Sequence, residues 1–182
     1  HSEAAFDQCP RCQGTNFNYR GTGTERIEKE VRQVDRRLSV VRLDSDTARR
    51  SGDYDRLVAE FNRGPGRVLV GTRLALRPDA LALVTLAGVI DADTLLNLPD
   101  FHAAERTFQT LRRVTTVLEG GLRAMAARQG ARRPAVVIQT FHPQHYAIRA
   151  AQRNDYGAFY RQEIETRKAA RYPPFARIAL VR

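Results

Sequence analysis

The residues able to do chemistry fall in three short stretches. Cys9 and Cys12, in Cys-Pro-Arg-Cys, are the chain's two cysteines. Thiolates at that spacing supply half of a tetrahedral zinc site, and a structural site takes four ligands. A redox CxxC ordinarily opens a helix after a strand, whereas Gln13-Gly14-Thr15-Asn16 reads as a turn. Half of a zinc ribbon is therefore the favoured reading, with a redox pair or a metal-free turn as the alternatives. The sequence opens on His1-Ser2-Glu3 as though inside a larger protein, just after another ligand pair. Asp91 and Asp93 sit two apart at the end of an apolar run, so both project to one side. Paired carboxylates can hold a divalent metal for phosphoryl transfer. No third carboxylate is placed beside them, so the favoured reading is that one caps the next turn and the other pairs with an arginine. His142 and His145, in His-Pro-Gln-His, could be ligands or a general base; with no carboxylate to orient them they read as structural. No Ser/His/Asp or Cys/His nucleophile can be assembled, so no catalytic residue is assigned.

Phosphate-binding loops are also missing. A P-loop needs GxxxxGK[ST], and neither Lys29 nor Lys168, the two lysines present, follows a glycine. Gly21 and Gly23 miss GxGxxG because Arg26 stands where the third glycine would be.

The elements that must position these residues are read from apolar periodicity. Helices are predicted from Thr24, as N-cap, with Ile27, Val31 and Val34 on one face, and over Asp53 to Phe61. A third begins at Phe101 and runs with three-four spacing to Met125, unless Gly120-Gly121 breaks it. Gln144 to Arg171 reads as two helical segments meeting near Asn154-Asp155. Strands are predicted over Phe17–Tyr19, Leu38–Leu43, Arg67–Val70, Leu83–Ile90, Ala135–Phe141 and Phe175–Val181, with Arg73 to Ala82 irregular and broken by Pro78. The unbroken, β-branched run at Leu83–Ile90 predicts a strand buried on both faces of a parallel sheet. Strands and helices in alternation give a three-layer α/β fold with a mainly parallel sheet. Two aspartates at a strand's carboxyl end lie where open α/β sheets place ligands.

At 182 residues and 42% apolar content the chain can bury one proper core. No apolar run approaches the roughly 20 residues of a membrane span, and no secretory signal opens the chain. A cytoplasmic protein is expected. The formal charge of +10, nearly all from arginine, favours polyanionic partners, since clustered cations release condensed counterions from nucleic acid. Basic residues concentrate at Arg112, Arg113, Arg123, Arg128, Arg132 and Arg133. A second group, Arg161, Arg167, Lys168, Arg171 and Arg177, is interleaved with Tyr160, Tyr172 and Phe175. Cations with aromatics suit single strands, and the same residues could equally be solvated faces of amphipathic helices.

Several segments together resemble one family. CPRCQG, GTGTERIEKEV, VVRLDSDT, VLVGT, GVIDADTLLNLPDFHAAERTFQ, VVIQTFHPQHYAI and DYGAFYRQEIETRKAARYPPFARIAL resemble, in order, the C-terminal half of PriA, the bacterial primosomal replication-restart helicases. The resemblance implies a second RecA-like lobe of a superfamily-2 DNA helicase over residues 20–172. Residues 1–19 would be the end of an inserted zinc-binding region, a zinc-ribbon remnant carrying the last CxxC pair. Residues 173–182 would begin the C-terminal domain. It further implies a role in replication restart, recognising abandoned forks and helping to reload the replicative helicase. The partners would be forked or single-stranded DNA, single-stranded DNA-binding protein and the primosome and helicase-loading proteins, with no membrane and a monomeric state. Zinc, with its site incomplete in this chain, and ATP are the implied cofactors.

The departures from the family bear on activity. Where the family continues GTQMIAKGHDFPNV, residues 71–84 read GTRLALRPDALALV; where it has QVAGRAGR, residues 113–120 read RVTTVLEG. The two arginines that would reach the ATP phosphates fall on Val117 and Gly120. Arginine fingers contribute about 10³–10⁵-fold in rate, and neither replacement can supply it. The expected function is a DNA- and partner-binding scaffold that has lost ATP-driven unwinding, with ATP not bound productively. The alternatives are an active ATP-dependent 3'-5' DNA helicase, using Arg112, Arg113 or Arg123 from a shifted register, and a metal-dependent phosphoryl-transfer enzyme at Asp91 and Asp93. Candidate backbone contacts are Thr24 and Arg26 at a helix start, Thr47 after a strand, and Gly71, Thr72 and Arg73 in the next strand-end loop. Amides and hydroxyls there can hold phosphate without reading sequence, or can cap their own turns.

Overall fold

Four strands in two parallel pairs, with helices laid against them, make up the computed structural model, which describes residues 23–64, 66–81, 84–125 and 134–179. Cys9, Cys12, the predicted strand over 17–19 and the proposed zinc-ribbon remnant lie outside these residues. The order is α1 (Thr24–Val34), β1 (Ser39–Leu43), α2 (Asp53–Phe61), β2 (Arg67–Gly71), a 3₁₀ turn (Arg73–Ala75), α3 (Pro78–Leu81), β3 (Leu86–Val89), α4 (Asp93–Leu96), α5 (Ala103–Met125), β4 (Ala135–Ile138), α6 (Tyr146–Gln152) and α7 (Tyr156–Ala169).

The first pair runs in register from Ser39 opposite Arg67 to Leu43 opposite Gly71. Successive residues of a strand face opposite sides, and here each side has its own helix. Val41 and Leu43 join Leu57, Val58 and Phe61 of α2 in one core. On the other side Arg32 of α1 donates to the Val40 carbonyl, and Arg42 lies beside Glu28. Helix, sheet and helix thus form three layers locally. Helix α1 is held by these polar contacts more than by burial. None of its residues is buried, and Val34, expected inward, is exposed. Its N-cap is Gly23, not Thr24.

The second pair runs from Leu86 opposite Ala135 to Val89 opposite Ile138. Val89 and Ile138 pack on a second core, built from Phe108, Leu111, Ala147, Ile148, Ala150, Ala151 and Phe159. The opposite face is open: Leu86 is 63% and Val137 60% exposed. The expectation of a strand buried on both faces is therefore corrected to burial on one. Helices α5, α6 and α7 all gather on one side, and no described element covers the other. Nor is there a single sheet, because no ladder joins the two pairs among the described residues.

The segment expected to be irregular forms the 3₁₀ turn and α3, with Pro78 in the first helical position, where its missing N–H costs nothing. Helix α5 runs unbroken for 23 residues through Gly120-Gly121. Each glycine costs about 1 kcal/mol against alanine, but the helix is fixed upstream by buried Phe108, Leu111, Val114 and Leu118. Tertiary packing overrides the propensity. Residues 175–179 are not strand, contrary to the alternation read there, and Phe175 and Ile178 are exposed.

Phe108 is the central residue of the second core. It is 1% exposed and stacks on Phe159 with ring centroids 4.2 Å apart. Phe108→Ala is expected to cost about 3–5 kcal/mol, as buried aromatic truncations do. Urea denaturation of the variant checks it, and a loss below about 1 kcal/mol would show that this core does not close around Phe108.

Candidate nucleic-acid interface

Parallel pairing of β1 with β2 puts both carboxyl ends on one edge, and five of the six candidate contacts sit on or next to it. Asp44 follows β1 directly and is 4% exposed. Its carboxylate accepts from the Thr24 hydroxyl and from the amides of Asp46 and Thr47, each amide at 2.9 Å. The Thr47 hydroxyl accepts from the Asp44 amide at 3.0 Å and donates to the Arg42 carbonyl at 2.9 Å. Arg42 lies with its Nε 3.2 Å from the same carboxylate, as an ion pair whose angle falls short of a hydrogen bond. Burial pushes the Asp44 carboxyl up, while these donors and the Arg42 charge together hold it below the ordinary value.

The Thr24 and Thr47 hydroxyls are thus committed around Asp44: Thr47 closes its own turn, and Thr24 reaches across to the carboxylate from the start of α1. Arg26 pairs with Glu30 at 2.8 Å on the exposed side of α1. Gly71, Thr72 and Arg73 are exposed on the edge itself. The Thr72 amide donates to the Leu43 carbonyl, tying the second strand end to the first. Only glycine fits at 71, since a Cβ there would lie 2.5 Å from the Leu43 carbonyl oxygen and 2.8 Å from the Ala75 Cβ. Arg73 makes no ion pair among the described residues. The edge can therefore offer a phosphate the Arg73 guanidinium and the Thr72 hydroxyl, beside a carboxylate already saturated by its own turn.

The second carboxyl edge carries Asp91 and Asp93, and they do not converge. Asp91 adopts φ 53 and accepts from the Thr94 amide and hydroxyl. Asp93, 6% exposed, turns to the β4 end, accepting from the Thr140 hydroxyl, the Phe141 amide and the His142 ring, the last at 2.7 Å. Burial raises its carboxyl, and His142 with the other two donors lowers it further than that, leaving it below the ordinary value. His142 accordingly does have a carboxylate orienter, which the sequence reading denied it. His145 caps α6, its Nδ1 accepting from the Ala147 amide, and burial lowers its pKa, helped by His142 and opposed by Glu163. Among the described residues no three His, Cys, Asp or Glu side chains gather as a metal site.

Sequence reasoning missed the hub role of Asp44. Its signal was the Asp-Ser-Asp-Thr run after a strand, a side chain closing its own turn two and three residues on. It also missed the groove of about 470 Å³ beside Arg112, Arg113, Val117 and Tyr156, whose walls come from helices far apart in sequence. No described helix is long and apolar enough to cross a membrane.

No family model matches the chain. Curated relatives match along nearly its whole length. The replication restart protein PriA of Bacillus subtilis is 37% identical over 181 residues, all of this chain and 21% of that protein. The protein of the same name from Chlamydia pneumoniae is 39% identical over 93% of the chain and 22% of its own length. That from Thermotoga maritima is 32% identical over 96% and 22%. The chain thus spans about a fifth of the length of the relatives it matches.

The Asp44 turn generates a pH-dependent expectation. A carboxylate whose folded pKa is depressed stabilises fully above its unfolded value, here 3.8, and that contribution is lost as pH falls through the folded value. Asp44→Asn should cost about 1–3 kcal/mol at pH 7, and the gap from the parent should narrow near pH 3. Thermal denaturation at both pH values measures it. A gap unchanged by acid would mean that the charge of Asp44 contributes nothing.

Proposed function

This chain belongs to the PriA family of replication restart proteins, as a C-terminal region of them, and from that premise we propose that it is a helicase lobe kept as a DNA- and partner-binding scaffold at stalled forks, with ATP-driven unwinding lost. The observation that carries the proposal is the setting of Val117. It stands where the family would present its first phosphate-reaching arginine, and it packs against the first core, with Leu57, Phe61 and Leu81 among that core's members. An apolar side chain packed against a core carries no charge or donor with which to stabilise a transferring phosphoryl group. Parallel strands with helices on both faces of the first pair support the RecA-like reading, and the charge of +10 supports a polyanionic partner. DNA backbone would meet Gly71, Thr72 and Arg73, with Arg26, Thr24 and Thr47 behind them. Forked or single-stranded DNA, single-stranded DNA-binding protein and helicase-loading proteins are the proposed partners, and the lobe acts as a monomer in the cytoplasm.

DNA-stimulated ATP hydrolysis by the full-length protein tests this. No stimulation above the DNA-free rate is expected. Turnover at helicase-like rates would overturn the loss of unwinding and favour phosphate contacts from Arg112 or Arg113 instead.

We also propose Cys9 and Cys12 as two of the four ligands of a structural zinc, which would fix the chain entering the lobe without chemistry of its own. The full-length protein should hold zinc tightly, and Cys9→Ser should release it, read by metal analysis after dialysis. Full retention would assign the metal to other ligands.

A further inference from the structure

Helices α5 and α7 face one another across the 470 Å³ groove, whose walls are Phe108, Arg112, Arg113, Thr116 and Val117 on one side and Tyr156 on the other. Two features of it belong to no contact yet described. The first is a pair of anchored cations. Arg112 donates its Nε to the Asn154 side-chain oxygen at 3.1 Å, and Arg113 donates its Nε to the Leu76 carbonyl at 2.9 Å. Both acceptors are neutral, and neither guanidinium makes an ion pair among the described residues. Asn154 itself holds a left-handed backbone, φ 51, in the link between α6 and α7. Each guanidinium is thus oriented through Nε, while its two terminal nitrogens remain for an anion. Such a fork matches the spacing of phosphate oxygens, and its preset orientation lowers the ordering cost of binding.

The second feature is the Tyr156 ring, which is followed by Tyr160 in an adjoining cavity of about 180 Å³ that Glu105, Glu163 and Arg167 also line. Tyr156 is 55% and Tyr160 50% exposed, one helical turn apart, with centroids 6.2 Å apart and planes 26° from parallel. Tyr156 is backed by Phe108 and Phe159 at 6.1 and 6.5 Å, so its orientation is set from inside the core. Exposed, braced aromatic faces next to unpaired cations are how sequence-tolerant sites take single strands: bases stack and phosphates are neutralised. An acidic peptide would use the forks but has no need of two successive flat faces.

We propose that the α5–α7 groove is a subsite for single-stranded nucleic acid, with bases on Tyr156 and Tyr160 and phosphates on the Arg112 and Arg113 forks. It lies on different elements from the β1–β2 edge and would give the strand a second foothold. Glu119, exposed and two turns along α5 from Arg112, limits how far the backbone can follow that helix. The inference rests on the reading that this chain binds DNA and extends it to a named surface.

The test is photocrosslinking of the full-length protein to an oligothymidylate carrying 5-iododeoxyuridine, with crosslinked residues mapped by mass spectrometry. Crosslinks at Tyr156 or Tyr160 are expected. They should be competed by unlabelled single strand but not by free ATP or by an acidic peptide. Joint Arg112→Ala and Arg113→Ala substitution should lower the yield at these tyrosines at least about fivefold and make the logarithmic salt dependence shallower by roughly 0.7 per arginine. Tyr156→Phe, which keeps the ring, should bind as the parent does, and Tyr156→Ala should not; circular dichroism separates misfolding from lost contact. Crosslinks on this chain that avoid residues 103–119 and 146–169 would overturn the subsite and leave the DNA-binding reading standing. Competition by ATP or by the peptide would overturn it in favour of a mononucleotide or protein ligand. A protein that binds the strand with no crosslink anywhere on this chain would sink both.

Discussion

Helix α5 is the beam on which both halves of the described structure rest. Near its start Phe108 and Leu111 close the second core against α6 and α7, and two to three turns on Val117 packs against the first. Arg113 reinforces the join by donating to the Leu76 carbonyl, at the end of the 3₁₀ turn that follows β2. One rigid element with an apolar side chain committed to each core fixes the spacing between them. Arg113 and Val117, one turn apart, make this join between them.

Buried charge marks the other places where chain segments meet. Asp44 collects the start of α1, the end of β1 and the turn after it around one carboxylate. In the second half Arg167 reaches Glu163 at 2.6 Å and Glu105 at 2.8 Å, while the Tyr146 hydroxyl donates to the other Glu163 oxygen at 2.6 Å. That links α5, α6 and α7 through polar groups beneath the Phe108–Phe159 stack. Burial pushes the Tyr146 phenol far up, helped by Glu163, so the hydroxyl stays a donor at any physiological pH. Such pairs contribute little net stability once desolvation is counted, and removing one partner is costly because the other is left buried and unpaired.

Local pattern located the elements well where side chains answer to their own neighbours. Helix α2, strand β1, the α6–α7 break at Asn154 and the termination near Tyr172 all follow from periodicity and turn residues. It failed where the answer lay on another element. The apolar run before Asp91 looked buried on both faces because β-branched sequences say nothing of what covers them, and here the helices take one side. His142 looked unoriented because its carboxylate, Asp93, lies 49 residues away. Thr24 looked like a cap for its own helix, and its hydroxyl is instead drawn to Asp44, where it satisfies a buried charge. Gly120-Gly121 looked like a break because intrinsic propensity was weighed without the buried stripe upstream.

By itself the sequence determined the class of fold, the cationic character, the absence of a P-loop and the family, since all of these are written in residue types and local order. Only the tertiary structure decided which hydroxyls are engaged and which arginines stand unpaired beside exposed rings. Those outcomes depend on distances between residues tens of positions apart. Burial and desolvation set their energies, and both are properties of the packed chain.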